Sequence, residues 1–320
     1  MYDAVGIDMP CTDLNVNMEA YPKQGHGGSV RQLSWQGGGK VATGMVAAAR
    51  LGAKCAMMGS VGDDVFGNFI IADFRRHGIN TDAMTVSESD TSSLSIVLSD
   101  YETGSRTILY RNGSVPRYTS ADLDFDLIRS SKYLFICRAD AAVRQAVEAA
   151  REAGTSVLVD ADGYAEEMVS LIPGIDVFIG SEFFYNRMFG AENTDYERNC
   201  REVSDMGPRI AVFTFGEKGC AGVGPEGYFR LPAFKVDAVD TVGAGDVFHG
   251  AYLAGLVKGL NAEQAARFAC GAAAVKCTRI GGRAAIPDDK TLERFLADGT
   301  IDYTEIDERV RLYERGLENV

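Results

Sequence analysis

No stretch of this chain approaches the roughly 18 uninterrupted apolar residues of a membrane span. The first residues, MYDAVGIDMP, lack the basic start and long apolar run of a signal peptide. No cluster of Lys and Arg forms the basic patch expected of a nucleic-acid binder. The formal net charge of −13 reads instead as an aid to solubility. Seven Cys stand at positions 11, 55, 137, 200, 220, 270 and 277, with no CxxC pair and no Cys/His zinc spacing. Their number is odd and most have apolar neighbours, so they read as small core residues in a reducing compartment. Internal repeats and low-complexity linkers are also missing. These absences predict a soluble cytoplasmic protein without nucleic-acid or membrane partners. At 320 residues and 46% apolar, the chain can bury one large core, or one core and a small appendage.

What is present is alternation. YDAVGID, CAMMGSVG, KYLFICR, SVLVDAD, DVFIG and RIAVFTFG read as apolar strands. Between and after them, helices are predicted over Lys40–Leu51, Val65–His77, Ala141–Ala153 (closed by Gly154), Asp246–Lys258 and Ala262–Lys276. Such order implies an α/β protein with a mostly parallel sheet covered by helices. Two regions, 14–36 and 91–112, lack helical periodicity. Within the second, SLSIVLSD and SRTILYRN look like hairpin arms joined through Tyr101–Gly104. A β-rich insertion beside an α/β core suggests a lid or a dimerisation surface, so a homodimer is expected. The whole chain, 1–320, reads as one unit with that lid. The charged run Asp302–Leu317 reads as a surface appendage.

The chemistry concentrates in VDTVGAGDVFHGAYLAGL, from Val239 to Leu256. Its small-residue turn lets backbone approach a ligand closely. The helix that follows offers free amides and a positive dipole end to a phosphate or a developing anion. Asp246 then stands beside an anion hole and can take a proton from an attacking hydroxyl. Read by itself, Asp246 is as easily a helix cap. WQGGGKVATG, Trp35 to Gly44, is another glycine turn before a helix but not a Walker loop, because Lys40 is followed by Val41. It either meets a hydroxyl-rich ligand or simply connects a strand tightly to a helix. FTFGEKG presents the Thr214 hydroxyl and open backbone at Gly216 and Gly219, or is a plain strand–turn–strand. CTRIGGRAAIP ends the second long helix in a Gly-Gly loop, where freed carbonyls ligate a cation or water.

Together these segments resemble the ribokinase-like (PfkB) family of sugar kinases over nearly the whole chain. GGGKVATGMVAAARLGAKCAMMGSVGDDVFG is similar to the family's N-terminal signature, and VDTVGAGDVFHGA to its C-terminal one, DTxGAGD. The resemblance implies an α/β core with a β lid, Mg-ATP as donor and a sugar-like alcohol as acceptor. It implies Asp246 as general base, with Gly243, Ala244 and Gly245 completing the anion hole. Asp13, Gly38, Gly39, Lys40 and Asn112 would hold the acceptor, and Thr214, Gly216 and Gly219 the nucleotide. Asp240, Val242, Lys276, Arg279 and Gly281 match loops that often bind a monovalent cation such as K⁺. The chain departs from the pattern at Thr43, where ribokinases carry Asn. It departs again at Ser181–Glu182–Phe183–Phe184, where Asn-x-x-Glu is common, and at Ala285, where a hydroxyl can complete the cation site.

Within the family, FKVDAVDTVGAGDVFHGA and AAVKCTRIGGRAAIP resemble the branch of 6-deoxy-6-sulfofructose kinases, which implies an acceptor-site Arg at Arg138. A guanidinium there would suit an anionic acceptor; the other reading of Arg138 is a surface salt bridge. A nucleoside kinase, and a non-catalytic sugar sensor on the same fold, are the competing functions. The intact GAGD turn argues against the sensor.

Overall fold

The computed structural model describes residues 1–103 and 105–317; Gly104, in the expected hairpin turn, lies outside them. Its strands are β1 (Ala4–Ile7), β2 (Cys11–Met18), β3 (Val30–Gly38), β4 (Cys55–Gly62), β5 (Met84–Ser87), β6 (Ser93–Asp100), β7 (Arg106–Arg111), β8 (Tyr133–Ile136), β9 (Ser156–Ala161), β10 (Val177–Ser181), β11 (Ile210–Thr214), β12 (Cys220–Gly224) and β13 (Gly227–Leu231). Its helices are α1 (Lys40–Arg50), α2 (Val65–Arg76), α3 (Phe125–Arg129), α4 (Ala141–Ala153), α5 (Glu166–Val169), α6 (Glu182–Phe189), α7 (Tyr196–Asp205), α8 (Ala244–Val257), α9 (Ala262–Lys276), α10 (Asp289–Asp298) and α11 (Thr304–Glu314).

The larger sheet runs β13-β12-β11-β10-β9-β8-β1-β4-β5. From β11 to β5 every pairing is parallel, and β12 and β13 close one edge as an antiparallel hairpin. Its strands are apolar on both faces because helices cover both. One core joins α1, α2, α8 and α9 to the sheet; the other lies under α4, α6 and α7. Parallel pairing also carries the carboxyl ends of β1, β8, β9, β10 and β11 to one edge, where open α/β sheets bind ligands.

The glycines of the two signature helices bring α1 against α8. A Cβ on Gly250 would lie 1.8 Å from the Gly44 carbonyl oxygen, and one on Gly44 would lie 3.0 Å from that of Asp246. Their amino-terminal ends therefore open into the same cleft.

The two β-rich regions pair as one separate sheet, ordered β3-β2-β6-β7, with β6 and β7 forming the expected antiparallel hairpin. It begins earlier than expected, at Cys11, and leaves 19–29 as a loop. Its polar face carries Asp13, Asn15 and Ser95; the other carries Leu14, Leu33, Ile96 and Leu109. Trp35 and Phe66 of α2 stack beneath one end of the apolar face, while Leu33 and Leu109 stay exposed.

The C-terminal run is no appendage. Ile306, Arg309 and Tyr313 of α11 are buried. Arg309 donates to the Ala284 and Ile286 carbonyls at 2.8 and 2.6 Å, and the Tyr313 hydroxyl donates to Asp73 Oδ1 at 2.6 Å. The charge of this run concealed those anchors. All seven cysteines are free; five are buried, Cys137 is half-buried against the core, and Cys11 is half-buried beside Asp13 and Ser95.

Candidate active site

Helix α8 starts at Ala244, not Asp246, and its N-cap is Gly243 in the left-handed conformation (φ 73°), without a side-chain cap bond. Asp246 is therefore not the cap, which removes the purely local reading of that residue. The turn packs tightly: a Cβ on Gly243 would come within 2.8 Å of Gly282 Cα, whereas one on Gly245 would meet open space. Among the described residues the Gly245 and Asp246 amides have no acceptor. They are donors aimed at the cleft beside the Asp246 carboxylate.

Asp246 is partly exposed, at the meeting point of several acidic groups. Burial, and then the neighbouring Asp160 carboxylate, push its pKa well above the ordinary carboxylate range, and the Lys40 ammonium pulls it back. A raised pKa makes the ionised carboxylate a stronger proton acceptor than an ordinary aspartate. His249, one turn later, ties this corner together. Its Nδ1 lies 2.6 Å from the Gly245 carbonyl, and its Nε2 lies 3.2 Å from that of Ile179 and 3.6 Å from Asp160 Oδ1.

The opposite wall is built from the other glycine run. Gly39 (φ 101°) caps α1 with no side chain to offer, and Asp8 at the end of β1 takes over, its Oδ2 accepting from the Ala42 amide at 3.0 Å. Gly38 leaves room for the Asp13 carboxylate, whose Oδ1 a Cβ would meet at 2.4 Å and displace. The Arg283 guanidinium, fully buried, donates to the Gly38 carbonyl at 3.1 Å, to Thr43 Oγ1 at 3.3 Å and to Asp73 Oδ2 at 2.7 Å. Gln36 accepts from the Arg283 and Ala284 amides at 2.7 and 3.0 Å, clamping the small sheet to the Gly-Gly loop. Thr43, noted as a departure from ribokinases, thus serves this internal network.

Lys40 donates to Asp162 Oδ2 at 2.6 Å. Burial opposes its charge, but Asp160 and Asp162 raise its pKa on balance. Its ammonium is therefore committed to a carboxylate. Arg138 differs: among the described residues it makes no hydrogen bond and no ion pair, and its Nε is buried without a partner. It is near enough to Asp8 to lower that carboxyl's pKa, against a larger rise from burial. The salt-bridge reading of Arg138 is not what the structure shows. Asn15 Oδ1, Tyr118 Oη and Asp160 Oδ1 are likewise buried without a hydrogen bond, Asp160 Oδ1 having only the His249 ring at 3.6 Å. Asn112, exposed after β7, has no bond drawing it inward among the described residues.

Along the same edge, Ser181 Oγ donates to the Asp162 carbonyl at 2.5 Å, and Ser181 pairs in register with Thr214. Thr214 Oγ1 donates to the Gly180 carbonyl at 3.4 Å, and the turn beyond it places Gly216 (φ 56°) and Gly219 (φ 89°) with open space at Gly216. Glu182 is held by Lys218 at 3.0 Å. From the small sheet, Arg106 Nη1 donates to Thr241 Oγ1 at 2.9 Å, so the sheet touches the loop that precedes α8.

The model of the pfkB family carbohydrate kinases matches residues 3–289. The chain belongs to that family. It is 28% identical over 308 residues to 5-dehydro-2-deoxygluconokinase of Shouchella clausii, covering 89% of this chain and 93% of that one. It is 29% identical over 287 residues to fructokinase-2 of Solanum habrochaites, covering 82% and 87%. The structure of Arabidopsis thaliana ribokinase with ribose and ATP superposes with a TM-score of 0.78 at 23% identity, over 92% of this chain and 99% of that one. The protein is a carbohydrate kinase on a ribokinase-like fold.

Sequence reasoning overlooked Asp8, Asp160 and Asp162. Each stands at the carboxyl end of an apolar strand already legible as one, in GID and VDAD, and that placement was the available signal. Arg283, Gln36 and His249 had none, because their partners are remote in sequence.

Proposed function

We propose that this kinase transfers the γ-phosphoryl group of ATP to a primary hydroxyl of an anionic hexose, of which 6-deoxy-6-sulfofructose is the example. The observation that carries the anionic acceptor is Arg138, a cleft-wall guanidinium with a buried, unpartnered Nε. Such a donor costs stability until a ligand satisfies it, and a planar fork suits a sulfonate, phosphate or carboxylate. Lys40 adds less than its charge suggests, since Asp162 holds it.

Phosphoryl transfer asks for positioning and charge stabilisation. Asp246 accepts the hydroxyl proton, and the Gly245 and Asp246 amides meet the charge that grows on the transferring group. Asp13 and the Gly38–Gly39 backbone orient the sugar, with Asn112 beside them. Thr214, Gly216 and Gly219 form the nucleotide turn. Magnesium bound to the nucleotide would neutralise phosphate charge. Asp162 and Glu182, at the ends of neighbouring strands and paired here with Lys40 and Lys218, would have to exchange those lysines to reach its shell, which suits an ion held mainly by phosphate and water. The small sheet acts as a lid that excludes water, and its exposed apolar face, with Leu33 and Leu109, packs on a second copy. The test is a panel of ATP-consumption assays over neutral sugars, sulfosugars, sugar phosphates and nucleosides. A preference for neutral fructose, ribose or a nucleoside over every anionic hexose overturns the reading.

A further inference from the structure

The loop of free amides rests on an unusual foundation. Lys276, the last residue of α9, is fully buried, and its Nζ donates to the Asp240 carbonyl at 2.8 Å. Both carboxylate oxygens of Asp240 are already in use: Oδ1 accepts from the Val242 amide at 2.9 Å and Oδ2 from the Gly281 amide at 2.8 Å. The Cys277 carbonyl accepts from the Val239 and Asp240 amides at 2.7 and 3.1 Å. Arg279 points away, donating to Asp307 at 2.9 Å and to its neighbour's carbonyl, with its guanidinium over Tyr303. These are the loops that the family resemblance offers to a monovalent cation. The donor set does not fit one, because the Asp240 carbonyl is taken by an ammonium and its carboxylate by two amides.

We propose that Lys276 is this kinase's own fixed cation: its ammonium sits among the Asp240 loop, the end of α9 and the Gly281 loop, so that phosphoryl transfer needs no potassium. The role given to the loop rests on the kinase reading above; the occupancy by an ammonium does not. An isolated buried ammonium is expensive, and here Asp240 compensates it. Burial lowers the pKa of Lys276, while the charges of Asp240 and Asp246 hold it up. Two consequences follow for the site. The carbonyl before the glycine-rich turn is held against α9, which stiffens a turn whose Gly243 and Gly245 would otherwise be loose. A positive charge also stands behind the amides that receive the phosphoryl group, in a water-poor setting where it acts strongly. Lys276 touches no substrate in this scheme and is a positioning residue.

The experiment compares the parent with Lys276→Ala and Lys276→Met in the chlorides of potassium, sodium and choline at equal ionic strength, reading kcat, acceptor KM and thermal midpoint. The parent should turn over within about twofold in all three salts, and its midpoint should not rise in potassium, since a bound ion would stabilise the fold by mass action. Lys276→Ala, measured in choline, should lose about tenfold or more in kcat with KM little changed, as for an interaction felt mainly in the transition state. Potassium should restore part of that loss and raise the midpoint of the Ala variant, and should do neither for Lys276→Met, whose side chain fills the space. Potassium activation or stabilisation of the parent overturns the proposal, and so does a folded Ala variant with full turnover in choline or no response to potassium. Should neither variant fold, the parent salt series decides alone. If no acceptor consumes ATP, the kinase reading fails while the parent's melting series still reports on the cation.

Discussion

Asp246→Asn removes a base and keeps the size of the side chain. It disturbs no cap, because α8 is capped at Gly243. General-base catalysis is worth roughly 10²–10⁴-fold, so turnover on the preferred acceptor should fall at least about a hundredfold, or ~2.7 kcal/mol of barrier. Stability should move the other way. Burial first, and Asp160 second, raise the pKa of Asp246 in the folded chain. An acid with a raised folded pKa binds its proton more tightly in the native state. Its contribution to stability is complete below the unfolded pKa and is lost as pH rises through the folded pKa. Once ionised, the carboxylate therefore works against the fold, and an amide does not. Thermal melts at pH 7–8 should place the variant's midpoint level with or above the parent's, the gap closing as pH falls to about 4, near the unfolded pKa. The parent's kcat should climb with pH along a limb that the variant's residual rate lacks. Near-normal turnover would refute the base assignment. A midpoint lowered by many degrees would show instead that the site had collapsed.

Gly245→Val should fold, since a Cβ there meets open space, yet it should abolish turnover while calorimetric acceptor affinity persists; lost affinity with unchanged saturated turnover would move the turn into the acceptor site. Arg138→Met should weaken an anionic acceptor by ~1.5–3 kcal/mol, the worth of a hydrogen bond to a charged group, and leave a neutral sugar of the same shape nearly untouched; equal losses on both would count against an anion-reading pocket. Arg283→Met leaves the buried Asp73 carboxylate without its cation, with the Tyr313 hydroxyl and the His77 ring still beside it, so urea unfolding should show a loss of ~3–5 kcal/mol; a loss below ~1 kcal/mol would mean that these remaining partners suffice or that Asp73 protonates cheaply. Sedimentation of the parent should give a dimer, and Leu109→Glu a monomer with its hairpin intact; a monomeric parent would remove the dimer and leave the lid.

The α/β class was legible because apolar strand runs alternate with helical ones, and that pattern needs only local periodicity. The glycine turns at 37–39 and 243–245 were legible for a related reason: each holds a glycine, Gly39 or Gly243, at a positive φ that few other residues adopt. Residues whose meaning depends on remote partners were not legible. Arg283 looks like any loop arginine until Asp73, Thr43 and the Gly38 carbonyl surround it. The charged run of α11 hides Arg309 and Tyr313, whose partners lie in the Ala284–Ile286 loop and in α2. Lys40 and Arg138 appeared equivalent as cations at a glycine loop and a strand end. Only the tertiary structure separates them, by giving Asp162 to Lys40 and leaving Arg138 Nε unpaired. Lys276 was read for its carbonyl, and packing instead buries its ammonium against Asp240. Sequence alone thus determined the periodicities, the turns and the family signatures, because these depend on neighbours along the chain. The tertiary structure decided which charges are paired, which are buried and which remain free for a ligand, because desolvation and Coulomb energies depend on distances in space.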